Sequence, residues 1–157
     1  MNQVITNVKK MVQTQYQNHN ISLVFELQEN IGFTVGSRVK VEQVILNLLS
    51  NAKFAVDEQE FYRSDPNYQK AIFIKTSAED NKIKLVVEDN GIGINNSHLN
   101  KIYDPFYTTK PEWVGTGLGL SIVYGIIKEM HGIIKAESTE TKYTRFTILF
   151  PRFPENI

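Results

Sequence analysis

Apolar positions recur at helical spacing in three stretches of this chain and crowd into β-type runs in several others. Val4, Val8, Met11 and Val12, with Gln15 beside them, share one side of residues 4–18 and predict an amphipathic helix. ISLVFEL at 21–27 predicts a strand, and FTV at 33–35 a shorter one closed by Gly36. The strongest helical pattern runs from Val39 to Val56, where Val41, Val44, Ile45, Leu48, Leu49, Ala52, Ala55 and Val56 form one stripe. Asp57 to Gln69 is polar and carries Pro66, which predicts a surface loop. AIFIKTSA (71–78) and KIKLVVED (82–89) predict an antiparallel pair joined by a short acidic turn. Residues 90–117 are rich in Gly, Pro, Thr and Asn without a clear period, as a functional lid would be, with the lid proper at about 94–117. A helix follows at 119–132, with Ile122, Val123, Ile126, Ile127 and Met130 inward and Gly132 at its end. Two strands, 133–138 and 145–151, close the chain, the second stopped by Pro151. The sum is one α+β domain over residues 1–157, with helices on one face of a mostly antiparallel sheet.

Composition narrows the function classes. At 157 residues the chain fits one domain with a real core, and 41% apolar with 22% charged residues reads as globular. Lys and Arg number 17 and so do Asp and Glu, so no global field draws in nucleic acid or anionic lipid. A phosphate-bearing ligand would need a local site. Cysteine is absent, which excludes thiolate nucleophiles and cysteine-ligated zinc and suits a cytoplasmic setting. No apolar run approaches the roughly 20 residues of a membrane helix, and the N-terminus has no signal-peptide pattern. The histidines, His19, His98 and His131, lack metal-site spacing.

Four short stretches carry candidate chemistry. In NLLSN (47–51), Asn47 and Asn51 are neighbours at i, i+4, at the border of the apolar stripe. Asparagine is a poor helix former, so such a pair suggests amides aimed at a ligand or metal, although solvated side chains explain it equally well. In DNGIG (89–93), Asp89 ends a buried-looking strand, where an acid is costly unless paired. A turn explains that stretch too, but its second glycine is one more than a hairpin needs. YDPFYTTK (103–110) offers Tyr103, Phe106 and Tyr107 as anchors to the core, and Lys110 after two hydroxyls. GTGLGL (115–120) leads into a helix, and glycines there expose N–H groups at the positive end of the dipole, a phosphate site. It is neither the G-x-x-x-x-G-K-[ST] loop nor a dinucleotide fingerprint.

In this order the four stretches resemble the ATP-binding catalytic domain of bacterial sensor histidine kinases, within the gyrase, heat-shock chaperone, histidine kinase and mismatch-repair ATPase superfamily. They correspond to its N box (47–55), G1 box (89–93), F box (103–110) and G2 box (115–120). The resemblance implies a two-layer α/β sandwich of the Bergerat type with ATP under a flexible lid. It implies that Asn51 ligates Mg²⁺ and that Asn47 lies beside it in a catalytic role. Asp89 would take the adenine amine, with Gly91 and Gly93 giving room for the base. Gly115, Thr116, Gly117, Leu118, Gly119 and Leu120 would cradle the phosphates, with Lys110 as a charge partner and Lys53 a weaker candidate.

The resemblance also separates kinase from hydrolase. The ATPase branches carry a water-activating Glu four residues before the metal-binding Asn, where this chain has Asn47, an amide without useful basicity. Phosphoryl transfer to a histidine on a separate dimerisation domain, and onward to a response regulator, is therefore the expected function. The alternatives are an ATP-driven clamp of the gyrase or mismatch-repair type and a non-catalytic nucleotide sensor. No histidine here has the sequence context of a phosphoacceptor, so the dimerisation domain is expected elsewhere. No partner nucleic acid or membrane contact is expected of this segment.

Overall fold

A computed structural model describes residues 1–153. The elements are α1 (Asn2–Asn18), β1 (Ser22–Leu27), α2 (Arg38–Arg63), β2 (Ala71–Glu79), β3 (Lys82–Asp89), α3 (Asn96–Leu99), α4 (Gly119–Glu129), β4 (Ile133–Thr139) and β5 (Tyr143–Pro151). The five strands form one sheet in the order β1-β2-β3-β5-β4. Only β1 and β2 pair in parallel; the other neighbours are antiparallel. Strict alternation along β3 and β5 sends Ile83, Leu85 and Val87, and Phe146, Ile148 and Phe150, to the buried face. There they meet Val44, Ile45, Leu48 and Leu49 of α2, and Val123 and Ile127 of α4, all essentially inaccessible to water. The opposite face carries cross-strand ion pairs such as Arg145–Glu88 and Lys75–Glu26. One apolar and one charged face make the two-layer α+β sandwich expected from the pattern.

Several expectations need correction. The polar stretch after Val56 is not all loop, because α2 continues to Arg63 and ends at Ser64 in the left-handed region. Ion pairs help to hold it. Lys53 reaches Asp57 at 2.7 Å in an i, i+4 pair, and the buried Lys70 bridges Asp57 at 3.1 Å and Glu60 at 2.7 Å. Burial opposes ionisation of Asp57, but hydrogen bonds from Lys53 and Lys70 outweigh it and hold its pKa low. The stripe of α1 also differs: Val4, Ile5, Val8, Val12 and Tyr16 face the core, while Met11 is 60% exposed and Gln15 points to water. On α4, Ile122 faces outward and Val123, Ile126, Ile127 and Met130 inward. FTV makes a single bridge, Phe33 to Phe153, and no strand.

Candidate functional site

The site hangs on one row of α2. Residues four apart on a helix stack with a rise of about 6 Å per step, and each step of the row 47, 51, 55, 59 holds a different loop. Asn47 Nδ2 donates to the carbonyl of Gly119, at the start of α4 (3.3 Å). Asn51 Oδ1 accepts from Lys110 Nζ (2.8 Å). The Ala55 carbonyl accepts from the Ile92 N–H (3.1 Å). Buried Gln59 donates its amide to the Thr141 carbonyl (3.1 Å), in the turn between β4 and β5. Between this row and the loops lies a cavity of about 290 Å³, whose walls include Asn47, Asn51, Phe54, Asp89, Lys110 and Thr144.

Asp89 occupies the floor. It ends β3, paired with Ile72 on β2 and Thr144 on β5, and is 4% exposed. Its Oδ1 accepts the Gly91 N–H at 2.9 Å. Burial pushes its pKa up to about 7, the Gly91 bond pulls the other way and the neighbouring Glu88 adds to the rise. A carboxyl left with one oxygen uncommitted within the protein, on the wall of a cavity, is an acceptor for an N–H donor of a ligand. It is the sole carboxylate among the described residues of the wall.

The two G1 glycines fit against protein. A Cβ on Gly91 would meet the Ala55 backbone at 2.4 Å, so this glycine lets the turn dock on α2. Gly93, at φ +71, would place a Cβ 2.3 Å from the Thr139 carbonyl oxygen. Gly93 lines the cavity and Gly91 does not.

The sequence of the family described as "Histidine kinase-, DNA gyrase B-, and HSP90-like ATPase" matches residues 36–154. The chain belongs to this family. Membership in this ATPase family implies ATP binding. Over 119 residues, 73% of the chain, it is 42% identical to the sensor kinase CckA of Brucella abortus, and it covers 13% of that protein. Over 151 residues, 96% of the chain, it is 34% identical to the sensor histidine kinase ZraS of Salmonella typhimurium, 30% of whose length it covers. The chain thus spans less than a third of these relatives. The solved catalytic domain of histidine kinase ThkA superposes with a TM-score of 0.80 at 29% identity, covering 99% of this chain and 94% of that one. ThkA in complex with response regulator protein TrrA gives 0.74 at 25% identity, covering 100% of this chain and 42% of that one.

Within this histidine kinase-like fold the four boxes converge on the cavity. Asn47, Asn51, Asp89, Gly93, Lys110, Gly115, Thr116, Gly117, Gly119 and Leu120 line it; Gly91 and Leu118 do not. Lys53 is turned away, bound to Asp57 and 3.1 Å from His19. Phe106 does not anchor the F box: it is 75% exposed, whereas Tyr103 packs partly buried against Tyr124. His98 of α3 and Tyr107 hydrogen-bond to one another and both line the wall. Thr144 escaped the sequence reading, Phe54 and Ile92 entered it only as members of their boxes, and His98 only as a histidine without metal-site spacing. For Thr144 a signal existed: once β5 is registered against β3, it stands opposite Asp89. No helix among the described residues is long and apolar enough to cross a membrane.

Proposed function

We propose that residues 1–157 are the ATP-binding catalytic domain of a two-component sensor histidine kinase, acting in the cytoplasm with Mg²⁺-ATP. The γ-phosphoryl group would pass to a histidine on a dimerisation domain outside this chain, and from there to a response regulator. One observation carries the reading: a single cavity joins a buried carboxylate, Asp89, to an amide pair, Asn47 and Asn51, with no other carboxylate among the described residues of its wall. In this reading Asp89 accepts the exocyclic amine of adenine through its free oxygen. Thr108, Thr109 and Thr116 supply donors to phosphate oxygens, Lys110 is a charge partner at the same end of the cavity, and Asn47 fixes the start of α4, where N–H groups face the phosphates.

The donor set suits Mg²⁺. That ion takes few protein ligands and completes its shell with phosphate and water, and the Asn51 amide oxygen is a hard donor of the right kind. When bound there it would offset the charge of the phosphates. The residues themselves position and stabilise; Asn47 is an amide that cannot activate water, so the terminal phosphate awaits a nucleophile from a partner.

The test is transfer of labelled γ-phosphate from ATP to a supplied histidine-bearing dimerisation domain of a related kinase, compared with the same domain lacking its histidine. Histidine-dependent labelling with little phosphate release by the isolated chain is expected. Steady hydrolysis without labelling would instead favour an ATP-driven clamp.

A further inference from the structure

Lys110 stands in an unusual place for an ammonium. Its Nζ donates to Asn51 Oδ1 at 2.8 Å and lies 4.5 Å from the centre of the Phe54 ring. Among the described residues no carboxylate pairs with it, whereas Lys40, Lys53, Lys70, Lys75, Lys84 and Lys135 each have one. Burial works against its charge and lowers its pKa. A partly desolvated cation held by an amide oxygen and an aromatic face is one half of an ion site. The missing half is an anion, which phosphate would supply.

The oxygen that holds Lys110 is also the one the proposed function gives to Mg²⁺. A divalent ion binds such an oxygen at about 2.1 Å. With the ammonium still in contact, the two cations would be separated by a few ångströms in a partly dry cavity, where their repulsion is strong. Binding of the metal at that oxygen therefore works against the ammonium's hold on it.

We propose that Lys110 is a protein-borne cation that holds Asn51 in place of the divalent ion and is exchanged for it, so that the site accepts nucleotide in two ionic forms. In the metal-free form Lys110 stays on Asn51 and meets the phosphates from there. In the metal-bound form it gives up Asn51 Oδ1 and moves outward, carrying the adjoining Pro111–Val114 turn of the lid with it. The sequence adds a reason for coupling: Lys110 enters that turn directly, and the Gly115 N–H closes it on the Pro111 carbonyl at 3.1 Å. This inference rests on the nucleotide site proposed above.

The experiment titrates ATP calorimetrically into wild type, Lys110→Met and Lys110→Arg, each with excess EDTA and again with saturating MgCl₂. Lys110→Met keeps most of the apolar stem of the side chain and removes the ammonium with its charge and donors. In EDTA it should weaken ATP binding by about tenfold, the size of one lost hydrogen bond between charged groups. In MgCl₂ the loss should shrink to within about threefold, so Mg²⁺ tightens the variant more than wild type. Lys110→Arg should restore most of the EDTA affinity. An equal loss by Lys110→Met with and without Mg²⁺ would make Lys110 a simple phosphate ligand and overturn the exchange. So would unchanged affinity in EDTA. Wild-type protein that binds no ATP in either buffer overturns the nucleotide site and the exchange together, whereas equal losses overturn the exchange alone. Thermal unfolding of the three proteins, and their far-ultraviolet spectra, check that each is folded.

Discussion

Asp89 concentrates the chemistry of the site in one side chain. Its carboxyl is buried and its pKa is raised to about 7, so folding favours its protonated form. The native state then binds more protons than the unfolded chain between the ordinary carboxylate range and about pH 7. Stability of the free domain should therefore fall as pH rises across that window and level off above it. Denaturant titrations between pH 5 and 8 would show this slope, and Asp89→Asn should flatten it. The same substitution puts an amide where an acceptor is needed and should cost about 2 kcal/mol of adenosine affinity. Calorimetry with adenosine reads that directly, and a loss below threefold would count against the assignment. Asn51 belongs to the other end of the ligand. Asn51→Ala should abolish the tightening of ATP by Mg²⁺ and leave adenosine binding nearly intact; equal losses would place the metal elsewhere.

Helix α2 is the element on which the site is assembled. Its row of Asn47, Asn51, Ala55 and Gln59 reaches the G2 loop, the F box, the G1 turn and the β4–β5 turn in succession. The last step gives α2 past Val56 a second hold, beside the ion pairs of Lys70. Gln59 fixes Thr141, whose N–H donates to the Ile92 carbonyl at 2.6 Å, and Ile92 in turn binds Ala55. The ring closes on the floor beneath Asp89. Gln59→Leu leaves the Thr141 carbonyl without its donor and should destabilise the domain by about 1–3 kcal/mol. Amide exchange should quicken at Ile92 and Thr141 before it does in β3 or β5, where the ladders are intact. Uniform quickening across the sheet would mean that Gln59 supports the fold generally and not this turn.

At the scale of the whole molecule, a sheet and two long helices carry a lid, residues 94–117, which is irregular apart from the short α3 and contributes Tyr107, Thr108, Lys110 and Thr116 to the cavity. Trp113 on that lid is 88% exposed. If ATP draws the lid inward, Trp113 emission should shift to the blue and acrylamide quenching should weaken on saturation. Adenosine, which lacks phosphates to reach the lid, should change neither.

Sequence by itself determined most of the elements and the candidate residues of two boxes. Period and alternation are local properties, so α2, β3 and β5 could be read from Val41 to Leu49, Ile83 to Val87 and Phe146 to Phe150. Asp89 was legible as an acid ending a buried-looking strand, and Asn47 and Asn51 as an amide pair at the border of the α2 stripe, with the order of the boxes joining them. The tertiary structure decided the rest. Residues 57–63 are helical because Lys70, distant in sequence, neutralises Asp57 and Glu60. Gly91 and Gly93 are small because α2 and the β4–β5 turn come against them, and no local pattern encodes that approach. Thr144 joins Asp89 only through strand register, and Lys110 finds Asn51 only across 59 residues of chain. Local pattern fixes which residues are made; the partners they meet depend on contacts that exist once the sheet and α2 are packed.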